Sequence, residues 1–231
     1  MTAKPNAPVL SFTLPDGSTS TVTVKRLLNA GYAGKNQEEV RAHVDELAKL
    51  GVPAPTTTPT LYPVSPYLAQ QSRQVDVQHA KTSGEAEWAL IIDDAGEELL
   101  TCACDHTDRQ LETHGVAWSK NASPDVLAVK AWRYADVVDC MDEVRLTGWV
   151  GDERTVIQDA PASALLEPSY WLQVLEERGE RKPGTVLLSG TITMSDGEKQ
   201  FSNRWGVALE HAALGRIELE YEVRQMADPI Q

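Results

Sequence analysis

The residues best placed to do chemistry are two acidic clusters. Glu85 and Glu87 open the most apolar run of the chain, Glu85 to Ile92. Residues i and i+2 of a strand point to one face, so the two carboxylates stand side by side. If they are buried, either one of them holds a proton or a cation sits between them, and a hard divalent ion with oxygen ligands is the usual partner. On an open face the same spacing is merely solvated. That is the expectation for Glu218, Glu220 and Glu222, which alternate with Ile217, Leu219, Tyr221 and Val223. The second cluster, Asp105 to Glu112, directly follows the strand-like run Leu99 to Cys104. Asp105 would complete a three-carboxylate set, and three acidic oxygens plus waters match the octahedral preference of Mg²⁺ or Mn²⁺. The alternative is a charged turn pinned by an Asp–Arg pair involving Arg109. His79 and His106 lie close to these clusters in sequence, and an imidazole that titrates near neutrality suits a general base.

Elements of several kinds must hold these groups. Residues 5 to 25 read as a hairpin, because Leu10, Phe12 and Leu14 alternate with polar residues ahead of the Pro15-Asp16-Gly17 turn. A helix follows, with Asn36 as N-cap, Glu39 three residues on, and Val40, Val44 and Leu47 at helical spacing until Gly51 and Pro53 end it. The Pro- and Thr-rich stretch 52–66 resembles a linker, which places a small N-terminal lobe in 1–66 and a larger domain in 67–231. From about residue 70 the chain is dominated by short β-rich runs, and only Ser163 to Arg178 looks helical. Few helices separate the strands, which argues for an α+β, mainly β fold and against a doubly wound parallel sheet. Neither a phosphate-binding loop nor an internal repeat is present.

The composition sets bounds on partners. The 231 residues include 21 Lys and Arg against 34 Asp and Glu, a formal charge of -13. A surface of that sign repels phosphate backbones and anionic lipid, so neither nucleic acid nor membrane is expected as a partner. No apolar run is long enough to span a bilayer and the first residues carry no apolar secretion core, so a cytoplasmic location is expected. Cys102, Cys104 and Cys140 are too few for a disulfide framework and lack a zinc spacing, and are expected as small buried residues.

At these residues the sequence resembles the fumarylacetoacetate hydrolase family over about residues 70 to 231. Four short motifs occur in the family's order: Glu85-x-Glu87, Asp105-His106-Thr107-Asp108-Arg109, Trp118-Ser119-Lys120, and Ser189-Gly190-Thr191. The resemblance implies a mixed β-sandwich roll, usually dimeric. It also implies a divalent ion, Mg²⁺ or Mn²⁺, held by Glu85, Glu87 and Asp105, with Lys120 near the substrate and Gly190 and Thr191 at its carboxylate. Arg109 would fix the Asp105 turn or a substrate carboxylate. The implied activity is hydrolysis of a small carboxylated keto or 1,3-dicarbonyl compound, cutting a C–C or, less readily, a C–N bond through a metal-stabilised enolate. Departures are present. The family's His–Glu pair, carried on a lid helix ahead of the Glu-x-Glu strand, is not found in 52–70, and Ile192 replaces a proline. A metal-dependent decarboxylase, isomerase or hydratase of 2-oxo acids is therefore the alternative, with a non-catalytic binding module third. A homodimer is expected, with residues 1–51 packed over or beside the mouth of the site.

Overall fold

The protein is described by a computed structural model covering residues 7–49, 55, 57–195, 197, 199–228 and 230. Two curled sheets pack face to face. The larger has eight strands, in the order Thr60–Val64, Arg26–Gly31, Thr185–Leu188, Ala86–Ile92, Glu98–Asp105, Asp125–Leu127 and Ala69–Gln70, with Trp132–Arg133 also pairing with Glu98–Asp105. The smaller has five: Thr155–Pro161, Arg145–Val150, Arg204–His211, Gly215–Gln225 and Gln74–Val77. This is the mainly β architecture expected from the run of short strands. Among the described residues no helix is long and apolar enough to cross a membrane.

The central strand Ala86–Ile92 is buried along its whole length. Its Ala86, Trp88, Leu90 and Ile92 face the smaller sheet, in a core with Leu100, Cys102, Val207, Leu209 and Leu219. Its alternate residues Ala89 and Ile91 face the other way, against Leu10, Phe12, Val22 and Val24 of the hairpin Val9–Thr13 and Thr19–Thr23. Both faces of the larger sheet are thus covered, which is why the strand reads as a continuous apolar run.

The hairpin and the helix Gln37–Lys49 form where the sequence places them. Asn36 caps the helix, accepting from the backbone N–H of Glu38 at 3.1 Å and of Glu39 at 3.4 Å, while its amide donates to Glu39 Oε1 at 2.8 Å. Val40 is buried and Val44 half-buried, while the Leu47 side chain lies outside the described residues. The lobe expected in 1–66 is not set apart from the larger sheet. Arg26–Gly31 is an interior strand of that sheet, parallel to Thr185–Leu188, and Thr60–Val64 pairs on its other side. The hairpin packs on the sheet's outer face, against Ala89, Ile91, Leu99 and Ala103. Neither strand was expected from the sequence, and the physical reason is that their hydrogen bonds are long-range: Arg26–Gly31 pairs with a strand 159 positions away, as in Arg26↔Thr185, and Thr60–Val64 pairs in turn with Arg26–Gly31. The run expected over Thr185 to Met194 forms a strand over Thr185–Leu188, with Met194 making an isolated bridge to Gln158. Cys102 and Cys104 are buried, Cys140 is half-buried and all three are free thiols.

Candidate metal centre

On the strand Ala86–Ile92, Glu87 falls on the face of Ala89 and Ile91, and on Glu98–Asp105 the alternation puts Asp105 on the face of Ala103 and Leu99. The two strands are hydrogen-bonded neighbours, with Ala86 opposite Cys104 and the Asp105 N–H donating to the Glu85 carbonyl at 3.1 Å. Glu85, Glu87 and Asp105 therefore converge at one end of the sheet's outer face. One carboxylate oxygen from each lies within 4.8 Å of the others, and all three residues are buried. Glu218, Glu220 and Glu222 do the opposite: none is buried, although Ile217, Leu219 and Tyr221 between them are.

Gly84, the residue before Glu85, makes a close backbone approach to the inner core, where a Cβ would lie 2.6 Å from Cys104 Sγ and 2.7 Å from the Trp205 ring. Gly84→Ala should cost about 1–3 kcal/mol through overpacking. Because Glu85 is the next residue, the variant should also bind divalent ions more weakly. Wild-type affinity in calorimetric titration with Mn²⁺ would show that Glu85 does not depend on this close approach.

Two cations stand among the acids. Lys120, buried at the end of the short helix Val116–Lys120, donates to Glu85 Oε2 at 3.3 Å and to Asp105 Oδ2. Arg109 opens the short helix Arg109–Glu112, which is capped by the Asp108 carboxylate. Its Nη1 donates to Glu85 Oε1 at 2.8 Å and to Glu112 Oε2 at 3.0 Å, and its Nε to Ser83 Oγ at 2.7 Å. Arg109 is thus bound to Glu85 and Glu112 and makes no ion pair with Asp105, so of its two expected roles the pairing with the Asp105 side chain is not seen.

The charge states follow from these partners. Burial pushes the Glu85 carboxyl up, but Lys120 and Arg109 outweigh it and hold the group at about 2. For Lys120, burial favours the neutral amine, yet Asp105, Glu85 and Glu87 together keep the ammonium charged and its pKa well above the ordinary lysine range. Glu87 behaves differently. Its Oε2 accepts the Gly190 N–H at 2.8 Å, its Oε1 is buried with no partner, and burial beside Asp105, Glu85 and Asp125 raises its pKa well above the usual carboxylate range.

The cluster extends further than the sequence indicated. Asp125 lies directly across the ladder from Asp105, and the Asn29 amide donates to Asp105 Oδ2 and Asp125 Oδ1, both at 3.1 Å. Burial and the neighbouring Asp105 raise the Asp125 carboxyl well above its usual range. Asn29 has one signal, a polar residue on the buried face of Arg26–Gly31, but the strand itself has no local signature because its partners are distant in sequence. Asp125 sits in a Ser-Pro-Asp sequence that reads as a turn.

Neither histidine expected as a base reaches the carboxylates. His106 is buried, with Nδ1 2.8 Å from the Tyr221 hydroxyl and Nε2 3.0 Å from Thr82 Oγ1. It lies just past the end of Glu98–Asp105 with its ring between Tyr221 and Thr82, and burial, helped by Arg109, lowers its pKa to about 3, so it is neutral. His79 Nε2 meets Asp108 Oδ2 at 3.1 Å, behind the cap of the Arg109 helix. Thr191 is occupied as well: its hydroxyl donates to the Ala86 carbonyl at 3.0 Å and accepts from Gln158 at 2.8 Å. Gly190 contributes its N–H to Glu87. Gly190 and Thr191 therefore orient the acidic strand in this structure.

The donor set suits a hard divalent cation. All three groups offer carboxylate oxygens, and the buried, partnerless Glu87 Oε1 is a group for which a cation would compensate.

The fold and this acidic centre define the class: a protein of the fumarylacetoacetate hydrolase-like fold. Among solved structures, the chain is similar to 2-keto-3-deoxy-D-arabinonate dehydratase complexed with magnesium and 2,5-dioxopentanoate, at 17% identity and a TM-score of 0.62 over 88% of this chain and 74% of that one. It is also similar to a putative fumarylacetoacetate isomerase/hydrolase from Oleispira antarctica (16% identity, TM-score 0.61, 92% and 98% covered). A third is 4-oxalocrotonate decarboxylase from Pseudomonas putida G7, complexed with calcium and acetate (14%, 0.55, 86% and 76%). No curated protein matches the sequence. Over residues 30–221 the chain matches the family described as protein of unknown function DUF2848, and it belongs to that family.

Proposed function

We propose that this protein is a divalent-metal-dependent enzyme acting on a small carboxylated keto or 1,3-dicarbonyl compound, hydrolysing a C–C or, less readily, a C–N bond. The observation that carries the reading is the convergence of Glu85, Glu87 and Asp105 within 4.8 Å in a buried site that also holds Lys120. Glu85, Glu87 and Asp105 would hold Mg²⁺ or Mn²⁺, and the ion would supply Lewis acidity toward a substrate carbonyl. The chain's own groups do the rest. Asn29 orients Asp105, the Gly190 N–H orients Glu87, and Arg109 orients Glu85 while holding Glu112 in place. Lys120 places a fixed positive charge beside the carboxylates, where it can stabilise negative charge that develops on substrate oxygen.

A second reading, a decarboxylase, isomerase or hydratase of 2-oxo acids, is favoured by the position of the two histidines. With His106 facing Tyr221 and His79 behind the Arg109 helix, neither is placed to activate water. One experiment separates the readings. The protein is incubated with Mn²⁺ and a 2,4-dioxo acid, oxaloacetate or a 2-keto-3-deoxy acid, and products are followed by NMR. Acid pairs from the dioxo acid support hydrolysis, whereas CO₂ release or loss of water supports the second reading. No metal binding and no turnover would overturn both. A homodimer remains part of the proposal, and light scattering at micromolar concentration should give about twice the 25.3 kDa chain mass.

A further inference from the structure

Two tyrosines that sequence spacing does not reveal lie near the acidic cluster, one beside Asn29 and one directly after the strand that carries it. In the ladder between Arg26–Gly31 and Thr60–Val64, Asn29 pairs with Tyr62. Residues opposite each other in a ladder share a face, so Tyr62 stands beside Asn29, whose amide holds Asp105 and Asp125. Two residues along the same face, a Cβ on Gly31 would lie 2.7 Å from Tyr62 Cε2, so the Tyr62 ring lies across the space that Gly31 leaves open. Tyr32 follows immediately with φ of +57°, a left-handed conformation that an aromatic residue adopts only where its surroundings impose it. Such outliers cluster at ligand-binding positions. Both rings are half-buried. Lys120 and Glu112 act electrostatically on both phenols and Glu85 on Tyr32, while the Tyr62 hydroxyl also has the Thr60 side chain as a hydrogen-bond partner.

We infer that Tyr62 and Tyr32 are specificity-determining residues that select a substrate whose far end is hydroxylated and uncharged over one that ends in a second carboxylate. The inference rests on the keto-acid reading above and deepens it. Both cations of the site are already bound to acids, Lys120 to Glu85 and Asp105 and Arg109 to Glu85 and Glu112. A second substrate carboxylate would find no free cation among these groups and would meet Glu112 as a like charge. A hydroxyl finds complementary partners: phenols that donate to its oxygen, and the Glu112 carboxylate, which accepts its proton. Burial lifts the Tyr32 hydroxyl to about 12, so the phenol stays a neutral donor at physiological pH.

The test uses the full chain loaded with Mg²⁺ and three probes in calorimetric titration: pyruvate, 2-oxoglutarate and a 2-keto-3-deoxypentonate. The wild type should bind the hydroxylated probe about tenfold more tightly than 2-oxoglutarate, since a site built to pair a hydroxyl discriminates strongly by it. Tyr62→Phe and Tyr32→Phe keep the rings, and each should reduce that preference by about threefold to tenfold while leaving pyruvate affinity within about twofold. Equal or tighter binding of 2-oxoglutarate would overturn the inference. So would an unchanged preference in both variants, or Mg²⁺ binding with no probe bound. Failure of Mg²⁺ itself to bind would instead overturn the reading of the carboxylate cluster.

Discussion

Lys120→Met is expected to destabilise the metal-free protein by about 3–5 kcal/mol, the typical cost of removing one partner from a buried ion pair. Lys120 is 5% exposed and its ammonium bonds to Glu85 and Asp105, so its loss leaves two buried carboxylates without their shared cation. Methionine fills nearly the same volume, which keeps the penalty electrostatic. A divalent ion held by the same carboxylates should restore much of the stability, about 2.7 kcal/mol at a hundredfold excess over its dissociation constant. Urea unfolding with and without Mn²⁺ measures both effects. A midpoint equal to wild type in the metal-free variant would show that Lys120 does not neutralise this cluster. Turnover should fall as well, even with metal present, because the positive charge beside the substrate is gone.

Glu87→Gln should act in the opposite direction on stability and abolish tight divalent binding. Burial and the acids around it raise the Glu87 pKa in the folded protein well above the ordinary 4.5 that it has in the unfolded chain. A folded pKa above the unfolded one means that the folded state binds the extra proton, so stability is full below about 4.5 and declines as pH rises toward the folded value. Glutamine is neutral throughout and keeps the oxygen that accepts from Gly190. The variant should gain on the order of 1–2 kcal/mol at neutral pH and lose that declining slope. Glu85 has the other sign. Held at about 2, it contributes stability above about 4.5 that is lost as pH falls toward 2. Unfolding midpoints of wild type and Glu87→Gln at pH 5 and pH 8 check the first claim, and Mn²⁺ titration checks the loss of binding. A variant less stable at pH 8 than wild type would show that Glu87 is ionised in the metal-free fold.

Local chemistry made much of this protein legible before any coordinates. The Glu85-x-Glu87 spacing, the apolar run behind it and Asp105 at the end of the next strand follow from periodicity and composition, because a strand's side-chain alternation is a local property. The Asn36 cap and the Pro15-Asp16-Gly17 turn are local in the same way, and both form as read. Burial is not local. Glu85-x-Glu87 and Glu218-x-Glu220 have the same spacing, and they differ because the first strand is covered on both faces while the second lies at the outer surface of the smaller sheet. The same limit hid Arg26–Gly31 and Thr60–Val64, whose pairing and register carry Asn29 and Tyr62 to the site. It also misplaced His106. One residue from Asp105 in sequence, it lies past the strand end against the Tyr221 hydroxyl, where burial and Arg109 keep it neutral. Short-range spacing specifies which groups share a face; the long-range packing of one sheet against another specifies which of those faces excludes water, and only there do neighbouring carboxylates need a cation.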